Sequence, residues 1–103
     1  MQREHVLLLR NPGPRPAYYL VADHLWGKGC NIDSDGNSAT PDDPNWTELS
    51  LFLRGASSYE RVQVDPRSEN PLVLEIRSPS QDLCERVARF LAATAGGEVE
   101  HAA

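Results

Sequence analysis

The chain has few cysteines and histidines, and it lacks the common catalytic motifs. Cys30 and Cys84 are far apart, and the three histidines are scattered at positions 5, 24 and 101, so neither type has the spacing of a zinc site. The GxSxG elbow, the Walker P-loop, the dinucleotide GxGxxG and HExxH are all missing. These absences exclude the enzyme classes that such motifs mark, and we expect no cofactor.

Long apolar runs are also missing. No stretch approaches the roughly 20 residues that cross a bilayer, and the first apolar run, Val6–Leu9, is shorter than the core of a secretory signal. We therefore expect a cytoplasmic protein without a membrane partner. Its two cysteines would be free thiols, with a Cys30–Cys84 disulfide as the alternative.

Positive charge is scarce. The chain has ten Lys and Arg residues and fifteen Asp and Glu residues, which gives a formal net charge of −5. This balance argues against nucleic acid as a partner, because phosphate-backbone binding needs a basic surface. The 103 residues include 40% apolar and 24% charged residues, as in a globular chain, so we expect one domain over residues 1–103.

The clearest element is a helix near the C-terminus. Ser78 is a candidate N-cap, with Pro79 in the first helical position and Gln81 completing a capping box. Gly96-Gly97 supplies the stop, so the pattern predicts a helix over 79–95. One apolar face recurs at helical spacing, made by Leu83, Cys84, Val87, Ala88, Leu91 and Ala95.

Three runs with period-two alternation precede that helix, at Thr47–Arg54, Glu60–Asp65 and Leu72–Arg77. Their short links favour an antiparallel β-meander with one apolar face, which the helix would cover. If the Thr47 or Leu72 strand were an uncovered edge, a weak homodimer could form, and otherwise a monomer is expected. The expected core is Leu49, Leu51, Leu53, Val62, Val64, Leu72, Leu74, Ile76, Val87 and Leu91.

The N-terminal third is less regular. Val6–Leu9 reads as a buried strand, and Ala17–Trp26 fits either element, with strand favoured because of its two tyrosines and Val21. Residues 27–45 are predicted to be a long acidic loop rich in Gly, Asp and Pro, and 97–103 a frayed tail unless Val99 adds an edge strand. The fold class is therefore α+β: an antiparallel sheet of four to five strands with one long C-terminal helix on its apolar face.

Part of the long loop resembles the calcium loop of EF-hand proteins. Asn31, Asp33 and Asp35 fall at loop positions 1, 3 and 5, Gly36 at 6 and Asp42 at 12. The resemblance implies a divalent-cation module in which these oxygens converge on calcium. Because position 12 lacks the usual Glu and no paired helices flank the loop, we favour a plain solvated loop.

A small Cys/His enzyme is a further alternative. Cys30 would be the nucleophile, His24 its base and Asp23 the residue that orients the base. Such chemistry requires the thiol and the imidazole within hydrogen-bond reach. Neighbouring Cys and His residues are common by chance, so His24 as a packed or surface residue is the simpler interpretation.

A protein-binding surface is the function that we favour. Its candidates are Asp33, Asp35, Asp42 and Asp43, followed by Trp46 as an aromatic anchor and Glu48. Acidic residues beside a Trp suit a basic protein partner. The alternative places Trp46 in the core and leaves the acids to keep the loop soluble.

The small acidic build resembles that of bacterial immunity proteins, which neutralise partner toxins by binding them. It also resembles small secretion chaperones, and strands that end in one helix resemble pleckstrin-homology-like domains. These likenesses concern build and involve no diagnostic motif. They imply a non-catalytic interaction domain, with toxin neutralisation as its most concrete form.

Overall fold

The computed structural model describes residues 4–57 and 59–101, which form an α+β fold of one sheet and two helices. The strands are β1 (His5–Arg10), β2 (Ile32–Gly36), β3 (Leu49–Leu53), β4 (Arg61–Glu69), β5 (Leu72–Ser78) and β6 (Glu98–His101). The helices are α1 (Tyr18–Trp26) and α2 (Gln81–Ala95). All neighbouring strands are antiparallel, in the order β2-β3-β4-β5-β1-β6. The α+β class is confirmed, with six strands where four or five were predicted.

The two edge strands are the ones that the sequence prediction lacks. β2 lies inside the predicted loop 27–45, and β6 lies inside the predicted frayed tail. Both predictions are therefore wrong over these strands, and the alternative of an edge strand at Val99 is correct. Residues 102 and 103 lie outside the described residues. The Thr47 and Leu72 strands, β3 and β5, have neighbours on both sides, so the condition under which either would pair with a second copy is not met.

Residues 18–26 form a helix, contrary to the strand that we favoured. Val21, Ala22 and Leu25 are buried and lie on one helical face, where they join the same core cluster as the inward face of α2. Arg86 of α2 fixes the end of α1, because its Nη2 donates to the carbonyls of His24 and Leu25 at 3.1 Å. Tertiary packing thus overrides the β propensity of the tyrosines.

The second helix begins two residues later than its capping pattern predicts. Ser80 is the N-cap, and its Oγ accepts from the N–H of Leu83 at 3.2 Å. Ser78 instead belongs to β5, where its buried Oγ donates to the carbonyl of Arg61. The predicted glycine stop is confirmed, since Gly96 has a φ of 83° and follows the last helical residue.

Both helices cover one face of the sheet, and the core lies between these two layers. Of the predicted core, Leu53 and Leu72 are only partly buried, and the other eight residues are buried. We call the opposite side of the sheet the outer face. Within residues 4–57 and 59–101 no helix packs on it, and neither helix is long and apolar enough to cross a membrane. The core also takes in Leu7, Leu9, Val21, Ala22, Leu25, Trp46, Leu83, Cys84 and Ala88.

Candidate functional site

Three of the six partner-binding candidates lie together on the outer face. In β2, Ser34 pairs with the buried Leu51 and so faces the helices, which places its neighbours Asp33 and Asp35 on the outer face. Glu48 directly precedes β3 and shares this face by the same alternation. All three acids are exposed. We call Asp33, Asp35 and Glu48 the acidic edge.

A depression of about 310 Å³ adjoins the acidic edge. Ser50 of β3 pairs with Gln63 of β4. These two uncharged side chains lie between the carboxylates at the rim of the depression. The lining residues are Asp35, Gly36, Glu48, Leu49, Ser50, Gln63 and Asp65.

The carboxylates of this region differ in how far they are neutralised. Arg77 donates to Asp65 at 2.6 Å, and the guanidinium of Arg54 bonds to Asp33 and lowers the pKa of that carboxyl. Among the described ion pairs, none includes Asp35 or Glu48. These two carboxylates therefore retain negative charge that can attract an ammonium or guanidinium group.

Gly36 and Asn37 hold the acidic edge in position. A Cβ at Gly36 would lie 2.3 Å from the carbonyl oxygen of Glu48, so only glycine permits this close approach of β2 to β3. The Asn37 Oδ1 accepts from the N–H groups of Thr47 and Glu48 at 2.8 and 2.9 Å. These contacts tie the end of β2 to the start of β3.

Asp42 and Asp43 lie away from the acidic edge and stabilise the loop between β2 and β3. The hydroxyl of Tyr19 donates to Asp42 at 2.7 Å, which raises the pKa of Tyr19. Asp43 accepts from the N–H groups of Ala39 and Asn45, both at 2.8 Å, and these bonds lower its pKa. The structure therefore divides the predicted acidic surface into two parts.

Trp46 is a core residue. It is 1% exposed, its indole Nε1 donates to the carbonyl of Pro16 at 2.8 Å, and its own carbonyl accepts from Arg15 Nε at 2.9 Å. A side chain buried to this extent offers no surface to a partner. The aromatic-anchor interpretation is wrong, and the alternative that places Trp46 in the core is correct.

Residues 31–42 do not have the conformation of an EF-hand loop, because residues 32–36 form β2. Alternate residues of a strand lie roughly 6.5–7 Å apart, so Asp33 and Asp35 point in parallel along β2, and Asn31 precedes the strand. Calcium ligands must converge to about 2.3–2.6 Å from one point, and Asp42 bonds to Tyr19 instead. Among the described residues no group of three His, Cys, Asp or Glu has a geometry that could hold a metal ion.

The proposed Cys/His pair has separate contacts. The thiol of Cys30 donates to the carbonyl of Ala22 at 3.7 Å. The His24 ring stacks on Phe90 of α2, with centroids 4.5 Å apart. Each residue therefore has a packing role, and this arrangement gives the enzyme alternative no support.

Ser50, Gln63 and Asp65 are the site residues that the candidate set omits. Their outward positions follow from the predicted alternation of β3 and β4. Their proximity to Asp35 could be predicted only if residues 32–36 were known to form a strand beside β3. The Asn, Asp and Gly residues of that segment favour turns, so the sequence does not predict the strand.

Comparison of the chain with protein-family models, curated protein sequences and solved structures gives no match. The likeness in build to immunity proteins, secretion chaperones and pleckstrin-homology-like domains gains no support from these comparisons. The side chains of the chain itself must therefore indicate its function.

Proposed function

We propose that the chain is a non-catalytic protein-interaction domain that binds a basic protein partner through the acidic edge. The observation that carries this proposal is the depression between Asp35 and Glu48, two exposed carboxylates without a cation among the described ion pairs. A lysine or arginine of the partner enters the depression and neutralises them. Neutralisation of a toxin by an immunity-type mechanism is one specific form of this function.

The charge of the chain and the position of its acidic edge both support this proposal. The formal net charge of −5 accelerates encounter with a basic partner, and the two carboxylates outside the described ion pairs, Asp35 and Glu48, select the orientation of docking. Exposed charge pairs contribute little singly. Affinity therefore requires several basic groups on the partner and declines as salt rises.

The experiment is a pull-down with a matched charge control. Tagged wild-type protein, Asp35→Lys/Glu48→Lys and Asp82→Lys/Glu69→Lys are incubated with native lysate at low salt. The control pair changes the net charge by the same amount, and its two exposed residues lie outside β2 and β3. We expect a basic protein on the wild type and the control, with about tenfold less on the acidic-edge variant.

Two outcomes would contradict the proposal. One is retention of the same basic partner by Asp35→Lys/Glu48→Lys, which would place the interface elsewhere. The other is equal loss from both variants, because net charge alone would then explain capture. Circular dichroism of each variant confirms that the comparison concerns folded proteins.

A further inference from the structure

β2 has one unpaired edge. It is the first strand in the sheet order, and among residues 4–57 and 59–101 it pairs with β3 alone. The N–H of Arg54 bonds to the carbonyl of Asn31, and the N–H of Asn37 bonds to the carbonyl of Glu48. Alternate residues of an antiparallel strand direct their backbone groups to opposite sides. Ile32 and Ser34 therefore direct both their N–H and C=O groups away from the sheet.

The two faces of this edge offer different environments to a strand placed beside it. On the outer face, alternate side chains of an added strand would lie beside Asp33 and Asp35. On the helix side they would lie beside a cavity of about 210 Å³. That cavity is lined by Tyr18, Ser34, Asp35, Gly36, Ser38 and Leu49.

The acids also determine which strand the edge accepts. A second copy paired through its own β2 would bring Asp35, a carboxylate outside the described ion pairs, close to the acids of the first copy, and like charges opposite one another destabilise a sheet. The other edge strand, β6, carries Glu98 and Glu100 on its outer face, where the guanidinium of Arg10 bonds to Glu100. Charge therefore disfavours self-pairing most strongly through β2, and it favours a basic strand.

We propose that β2 binds an extended basic segment of the partner as a seventh strand of the sheet. Lys or Arg residues of the segment lie on the outer face near Asp33 and Asp35, and the residue between them enters the cavity and contacts Tyr18 and Leu49. The bound segment thus alternates basic and apolar residues. This inference rests on the proposed function, because it specifies how the basic partner reaches the acidic edge.

The test uses a synthetic peptide with four lysines alternating with three valines. Its control has the same sequence with N-methyl groups on the amides that would bond to β2, so that charge is retained and strand pairing is blocked. The ¹⁵N-labelled wild-type chain is titrated with each peptide by NMR. We expect shifts centred on residues 32–36 and slower hydrogen exchange at Ile32 and Ser34 with the unmodified peptide only.

A pair of chain variants gives an independent readout. Ser34→Pro removes an N–H that faces away from β3, a position at which an edge strand tolerates proline, and Ser34→Ala keeps that N–H. We expect Ser34→Pro to weaken peptide binding about tenfold, which corresponds to one blocked backbone contact. Ser34→Ala should remain within about threefold of wild type. The N-methylated peptide needs no variant, so the test survives if Ser34→Pro unfolds.

Equal binding of the two peptides, or shifts confined to regions outside 32–36, would overturn strand addition. If Asp35→Lys/Glu48→Lys still lost binding in that case, the charge-based proposed function would stand without it. If the acidic-edge variant bound the peptide as wild type does, both proposals would be wrong.

Discussion

Replacement of Trp46 tests whether this residue belongs to the core or to the binding surface. Trp46→Phe removes the indole N–H that bonds to Pro16 at 2.8 Å and part of a ring that is 1% exposed. The lost hydrogen bond costs about 1 kcal/mol, and the lost apolar area about 1–2 kcal/mol. We therefore expect a loss of about 2–3 kcal/mol, and about 3–5 kcal/mol for Trp46→Ala.

The assay is urea unfolding followed by far-UV circular dichroism, with Trp26→Phe as the matched control. Trp26 is half-buried, and its Nε1 donates to the Glu60 carboxylate at 2.9 Å, so its replacement should cost about 1 kcal/mol. Trp26→Phe also isolates the fluorescence of Trp46. We expect that fluorescence to resist quenching by iodide in the folded chain.

Wild-type stability of Trp46→Phe, together with free iodide quenching of Trp46, would refute this account. It would mean that Trp46 is exposed and available to a partner. If the account is correct, any weak binding by a Trp46 variant reflects a smaller folded fraction. Binding tests therefore require the acidic-edge variants.

Three further predictions concern residues outside the proposed contacts. Cys84 is fully buried, and burial raises the pKa of its thiol from 9.0 to about 11, which lowers the thiolate fraction about 100-fold at neutral pH. In a Cys30→Ser protein, a thiol reagent should therefore label Cys84 only as urea unfolds the chain, and labelling at the rate of a free thiol would contradict this. Backbone N–H donors lower the pKa of Asp43 below its ordinary 3.8, so its charge stabilises the fold at neutral pH and this contribution is lost as pH falls through the folded-state pKa. Asp43→Asn should lower the urea midpoint at about pH 7 and flatten the decline towards about pH 2.5, whereas an unchanged pH profile would exclude the linkage. Gly36→Ala places a Cβ 2.3 Å from the Glu48 carbonyl and should cost about 1–3 kcal/mol, measured by thermal melting; a melting temperature equal to that of wild type would show that β2 and β3 approach less closely.

The sequence predicts the centre of the fold better than its edges. β3, β4, β5 and α2 have strong period-two or helical patterns, because each buries one face against the others. β2 has few apolar residues and is exposed over residues 33–36, so backbone pairing with β3 defines it and the pattern carries little information. In α1, the contacts of Val21 and Leu25 in the shared core decide between two elements that local propensity leaves open.

The candidate site was predictable only in part for the same reason. The excess of acidic residues in residues 27–48 is visible in the sequence. Whether Asp35 and Glu48 lie together depends on the β2–β3 register. Trp46 follows the acids in the sequence, yet it lies in the core. Its burial is possible because the indole N–H donates to the carbonyl of Pro16.

The most direct test of the central claim is a charge exchange across the interface. A basic partner captured by the wild type is mapped, and the lysine or arginine that contacts the depression is changed to glutamate. We expect each charge reversal alone to weaken binding, and Asp35→Lys/Glu48→Lys combined with the reversed partner to recover most of the affinity. If no basic residue of the partner restores binding in this way, the acidic edge is not the contact surface.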